Sequence, residues 1–107
     1  MNLRRDVFQA IADPTRRAIL GLLALGTYTP NAIAENFDTT RQTISKHLQI
    51  LTECRLVTAK QKGREVHYSF NPKRMKEVFD WAEQFRELWE GRFDRMEKII
   101  RGKSGAL

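Results

Sequence analysis

Arg41, Gln42, Ser45, Lys46 and Gln49 recur at the spacing of one helical face, and their side chains carry the donors and acceptors that read base edges. Arg and Lys pair with guanine acceptors, Gln with adenine, and Ser with either. Residues nearest the start of such a helix reach deepest into a major groove, so Arg41, Gln42 and Ser45 are the expected base readers. Lys46 suits a base or a phosphate, and Thr43 and Gln49 complete the DNA-facing set. Thr40 is placed to cap the helix and touch phosphate, or to cap it alone. His47 lies beside the apolar stripe and has two readings, a partly buried hydrogen-bonding histidine or a contact with phosphate or a base edge. Lys62 and Arg64 flank Gly63, and long basic chains on a tight turn can reach the backbone or minor groove of a double-stranded operator.

The charge distribution points the same way. The 107-residue chain carries a net charge of +6, with 41% hydrophobic and 30% charged residues, an ordinary globular balance. From Thr39 to Lys76 nine basic residues face two acidic ones, leaving +7. From Glu77 to Glu97 seven acidic residues face three arginines, leaving −4. A polyanion-binding middle and a tail with another task fit this asymmetry, as do two merely solvated faces. No apolar run approaches the roughly 18 residues of a membrane span, and Met1 to Asp6 holds no apolar signal core, so a cytoplasmic setting without membrane contact is expected. The single cysteine, Cys54, excludes an internal disulfide. It reads as a small buried hydrophobe, with a redox switch as the alternative.

These residues need elements to position them. Asn2 to Ala12 reads as a short helix with Val7, Phe8 and Ile11 at helical spacing. Asp13-Pro14 restarts the chain as a second helix, carrying Ala18, Ile19, Leu22 and Leu23 inward and stopping near Gly26. A third, short helix holds Ile33, Ala34 and Phe37, and Asp38-Thr39-Thr40 breaks it. The fourth, about Arg41 to Glu53, sets Ile44, Leu48 and Leu51 opposite its polar face. Two short helices around a tight turn form a helix-turn-helix pattern. Val66, Tyr68 and Phe70 then alternate with His67 and Ser69, which predicts a strand paired with the Val57 to Lys60 run across Lys62-Gly63-Arg64. Asn71-Pro72 caps a long last helix, about residues 72–101, ahead of a flexible 102–107 tail. The expected fold is mainly α with a small β-hairpin wing, a single winged helix-turn-helix domain over residues 1–107.

Three segments, Ala12-Asp13-Pro14-Thr15-Arg16-Arg17-Ala18-Ile19-Leu20, Thr43-Ile44-Ser45-Lys46-His47-Leu48-Gln49-Ile50-Leu51 and Gly63-Arg64-Glu65-Val66-His67-Tyr68-Ser69-Phe70, resemble the ArsR family of bacterial winged-helix repressors in order and spacing. The resemblance implies a homodimer built on the first and last helices that binds an imperfect palindrome in a promoter. Many members sense metals through a cysteine pair that would fall between about Thr29 and Phe37, where this chain has none. The alternative site on the last helix needs histidines, and none follows His67. Cys54 and His47, seven residues apart, lie roughly 10 Å apart along a helix, too far for ligands each about 2 Å from one zinc. No metal and no cofactor are therefore expected, and the chain is similar to the metal-independent, SdpR-like branch of autorepressors. It also resembles regulators encoded beside small lipid-binding-fold proteins. Where the family has a small residue and then glycine after the recognition helix, this chain has Cys54 and Arg55, and Arg55 in a left-handed conformation would be strained.

The last helix carries an apolar stripe broad enough to favour burial against a second copy. Phe8, Val78, Ala82, Phe85, Trp89, Phe93 and Met96 are the expected dimer interface, against a reading in which the helix folds back on its own domain. Trp81 falls off the stripe and suits either the interface or the pocket of an unknown small-molecule effector. The competing function is a protein-interaction module whose basic face meets an acidic partner. Catalysis has no support in the residues. Ser45 and His47 diverge on one helix, and no phosphate loop or paired acids occur.

Overall fold

The computed structural model describes residues 6–91, with Trp89 described by its backbone alone. Two compact units divide the chain, Met1–Lys76 and Glu77–Leu107. The first opens with α1 (Val7–Ala10), α2 (Pro14–Leu23), α3 (Pro30–Ala34) and α4 (Arg41–Glu53). A hairpin of β1 (Val57–Lys62) and β2 (Glu65–Phe70) follows, and α5 (Pro72–Glu83) leads into the second unit, which adds α6 (Arg86–Trp89).

Each of the first four helices starts on a side-chain cap. Asp6 accepts from the Gln9 N–H, Asp13 from Arg16, Thr29 from Ala32 and Thr40 from Thr43, and proline follows the cap in α2 and α3. Each cap satisfies a backbone donor that the first helical turn would otherwise leave unpaired. Arg16 and Arg17 then close the α1–α2 corner. Arg16 Nε donates to the Ala10 carbonyl at 2.6 Å and its Nη2 to Gln9 at 3.2 Å, while Arg17 Nη1 donates to the carbonyls of Ile11 and Ala12. Four successive carbonyls at the end of α1 thus find donors on α2, that of Gln9 accepting from the Ala12 N–H at 3.2 Å as well.

The core of this unit gathers Val7 and Ala10 from α1, Ile19, Leu20 and Leu23 from α2, Ile33 from α3, and Ile44, Leu48 and Leu51 from α4, joined by Cys54, Leu56 and Val57. Ala18, expected inward, is exposed, and Leu22 is only half-buried. The buried stripe of α2 is centred one position later, on Ile19, Leu20 and Leu23, which turns Ala18 outward.

At its C-terminus α4 ends in a Schellman motif. The Leu56 N–H reaches back to the Leu51 carbonyl at 3.0 Å and the Arg55 N–H to Thr52 at 2.9 Å. Arg55 sits at φ 62, so α4 ends in the left-handed turn that glycine usually makes although arginine stands there. Just ahead of α5, Asn71 donates its side-chain amide to the Arg55 carbonyl at 2.8 Å, and Arg74 Nε donates to that of Cys54 at 2.9 Å.

The hairpin is antiparallel, with Val57 opposite Phe70 and Lys62 opposite Glu65. Lys62 is therefore the last strand residue, and Gly63 and Arg64 alone form the tip, Gly63 at φ 64 where a side chain would be strained. On its other edge β2 bonds to Tyr28 through Tyr68 in both directions, at 3.1 and 2.8 Å. The alternation expected along β2 is not seen in burial. Val66 to Phe70 are all half-buried, because so narrow a ribbon has neither a fully covered nor a fully open face.

The last helix does not run unbroken from 72 to 101. Phe85, at φ −100 and ψ 5, leaves the helical conformation, and its N–H bonds to Ala82 three residues back. Trp81 and Phe85 pack edge to face at 5.2 Å beside this break. Arg86 pairs with Glu83 at 3.3 Å and Glu90 at 3.4 Å, and Gly91 at φ 77 ends the described chain. Residues 92–101 of the expected helix lie outside the described residues.

Candidate nucleic-acid interface

The capped start of α4 holds its first turn open to solvent. Arg41, Gln42, Thr43, Ser45, Lys46 and Gln49 are exposed, while Ile44, Leu48 and Leu51 anchor the opposite face in the core. Arg41, Gln42, Ser45 and Lys46 make no side-chain hydrogen bond or ion pair with any other described residue. Their donors and charges are solvated and free to meet a ligand. Thr40 and Thr43 are occupied with one another. The Thr40 hydroxyl accepts from the Thr43 N–H at 3.2 Å and donates to the Thr43 hydroxyl at 3.0 Å. Gln49 reaches along the helix to Glu53 at 3.4 Å.

The wing brings a second basic group. Lys62 and Arg64 are exposed at the end of the hairpin, and they too bond to no described side chain. Gln61 Nε2 donates to the Gly63 carbonyl at 2.8 Å and stiffens the tip that carries Arg64. His67 lies behind the tip, 3.6 Å from the Glu65 carboxylate.

His47 stands apart from the exposed set. Its side chain is 17% exposed, and Nδ1 lies 3.4 Å from Arg16 Nη1 and 4.0 Å from the Asp13 carboxylate. Partial burial pushes the Asp13 carboxyl up, but the Arg16 backbone N–H, the charges of His47 and Arg16, and the Thr15 N–H together hold it below its usual range. Composition and spacing did not reveal this cluster. A signal for it was present, since two arginines just inside a helix that follows another helix end are placed to cap the preceding carbonyls.

Cys54 is buried, its thiol 3.4 Å from the Asp6 carbonyl. Among the described residues no three His, Cys, Asp or Glu side chains come together as metal ligands, and no helix is long and apolar enough to cross a membrane. Of the residues expected at a dimer interface, Phe8, Val78, Ala82 and Phe85 are half-buried. The Trp89 side chain, Phe93 and Met96 lie outside the described residues. Phe79 and Trp81, the two aromatics of α5, are exposed, at 69% and 53%.

Residues 11–58 match a helix-turn-helix domain family. The transcriptional repressor SdpR of Bacillus subtilis is 40% identical over 80 residues, spanning 75% of this chain and 89% of the relative. An ArsR-like transcriptional regulator from Rhodococcus superposes with a TM-score of 0.67 at 30% identity, over 87% of this chain and 88% of that one. The homodimeric winged helix-turn-helix DNA-binding domain of a possible ArsR-family regulator from Mycobacterium bovis superposes with a TM-score of 0.63 at 30% identity, over 76% and 75% of the two chains. With its helix-turn-helix, its hairpin wing and this likeness over most of its length, the chain belongs to the ArsR family of winged helix-turn-helix transcriptional regulators.

Proposed function

We propose that the chain is a cytoplasmic, sequence-specific repressor of transcription, acting as a homodimer on an imperfect palindrome in double-stranded DNA and using no metal or catalytic step. The observation that carries this reading is the first two turns of α4, whose Arg41, Gln42, Ser45 and Lys46 are exposed and bonded to no other described side chain. In a major groove Arg41, Gln42 and Ser45 read base edges, and Lys46 contacts a base or phosphate. Thr40, Thr43 and Gln49, already engaged within α4, add contacts at its margin. Lys62 and Arg64 bind the flanking backbone from the wing. The name of the B. subtilis relative supports repression, and the homodimer described for the M. bovis domain supports pairing of two copies. Phe8, Val78, Ala82, Phe85, Trp89, Phe93 and Met96 would supply the apolar contact between them.

The test is a competition between a duplex selected by the protein and unrelated DNA. Any basic surface retains DNA at low salt, so only selectivity that survives competitor is informative. Replacing Gln42 and Ser45 together by alanine should cut the preference for the selected duplex about tenfold or more, with non-specific binding retained. An unchanged preference would remove α4 from the reading of bases.

A further inference from the structure

The half-buried ring of His47 joins the recognition helix to the corner that precedes it. A guanidinium can only donate, so the 3.4 Å contact between Arg16 Nη1 and His47 Nδ1 is a hydrogen bond when Nδ1 is unprotonated and the ring proton sits on Nε2. Protonation reverses this. Nδ1–H becomes a donor, the guanidinium repels the ring, and the Asp13 carboxylate at 4.0 Å is the acceptor at hand. Arg16 is itself fixed by the Ala10 and Gln9 carbonyls, and Asp13 by its capping bond to the Arg16 N–H at 3.0 Å. One turn away on α4, Thr43, Ile44, Ile50 and Leu51 carry no charge. Among the described residues Arg16 and Asp13 are thus the charged groups that meet the ring, both from the start of α2.

We propose that Arg16 is a positioning residue for DNA recognition. Anchored on the end of α1 and bonded to neutral His47, it sets how α4 presents Arg41, Gln42 and Ser45, and Asp13 takes the ring over when it is protonated. This rests on α4 being the helix that reads DNA. A neutral ring bonds α4 to Arg16 and a protonated one would turn toward Asp13, so the selected duplex should be bound best when His47 is neutral. Simple charge predicts the opposite, because each added proton strengthens attraction to a polyanion. The sign of the pH dependence therefore separates positioning from net charge.

The experiment measures binding of the full chain to a duplex it has selected from a random library, at fixed ionic strength, from about pH 8 to about pH 5.5 across the range in which histidines ordinarily titrate. Wild-type affinity should fall by about three- to tenfold on acidification, the scale of one lost hydrogen bond. His47→Gln keeps an acceptor for Arg16 at every pH and should flatten the profile. Arg16→Lys cannot hold the α1 carbonyls and the ring together, and should weaken binding at pH 8 and flatten the profile as well. His67→Gln, on the wing, should keep the wild-type profile. Ring ¹⁵N shifts of the free protein give a readout independent of DNA. His47 should be the Nε2–H tautomer near neutral pH, and Arg16→Lys should mix in the Nδ1–H form. Affinity that rises on acidification, a His47→Gln profile like that of wild type, or an Nδ1–H ring in the free protein would overturn the positioning role. A failure to select any duplex over competitor at any pH would instead defeat the underlying reading of α4, whatever the ring tautomer.

Discussion

A donor on a protein surface is most available to a partner when nothing inside the molecule claims it, and the side chains of α4 divide on that line. Arg41, Gln42, Ser45 and Lys46 are unclaimed among the described residues, whereas Thr40, Thr43 and Gln49 are engaged within the helix and His47 is engaged with α2. The exposure of this set was legible in the sequence because polar residues at helical spacing opposite an apolar stripe must face outward. The partners of His47 were not, since Asp13 and Arg16 meet it only through tertiary packing across more than thirty positions. Asp13 also gives a pH prediction. Its lowered carboxyl contributes stability above the ordinary carboxylate range near pH 4, and that contribution is lost as the pH falls through the lower folded value. Asp13→Asn keeps a capping oxygen but no charge. Its thermal stability should lie below wild type at neutral pH, and the gap should close on acidification. Asp13→Ala removes the cap too, and should cost about 1 kcal/mol in denaturant unfolding.

At the scale of elements, the starts of α2 and α4 were legible from their capping residues, Asp13 before proline and Thr40, whereas Asp6, expected inside the first helix, is the cap that precedes Val7. Helix ends and breaks were less so. The interruption at Gln84–Phe85 carries no glycine or proline, and it shows only in the backbone of Phe85. The Arg55 turn was legible as an oddity, and its geometry now gives a stability prediction. A left-handed non-glycine residue costs about 1 kcal/mol or more, so Arg55→Gly should raise the unfolding free energy by about that much and move the denaturant midpoint upward. The wing gives a prediction about binding. Arg64 extends from a tip of two residues, so Arg64→Ala should weaken binding to all duplexes alike and lower the salt slope by about one. An unchanged slope would take the wing off the phosphate backbone.

Across the whole molecule, a basic stretch that carries α4, the wing and the start of α5 is followed by an acidic one that carries the rest of α5 and α6. This fits a DNA-facing part and an assembly part. The family was legible from three short segments because their order and spacing together are far more restrictive than any one alone. The mode of assembly was less legible, since an apolar stripe shows that a face wants cover but not what covers it. Two-fold pairing of the protein would offer two copies of α4 to successive major grooves, about 34 Å apart. Selection of duplexes from a random library by the full chain, in excess competitor DNA and at physiological salt, tests the central claim most directly. A homodimer that presents two copies of α4 should enrich an imperfect palindrome with half-site centres about ten base pairs apart, or a multiple of that spacing. A pool that stays random, with binding that competitor abolishes, would contradict it.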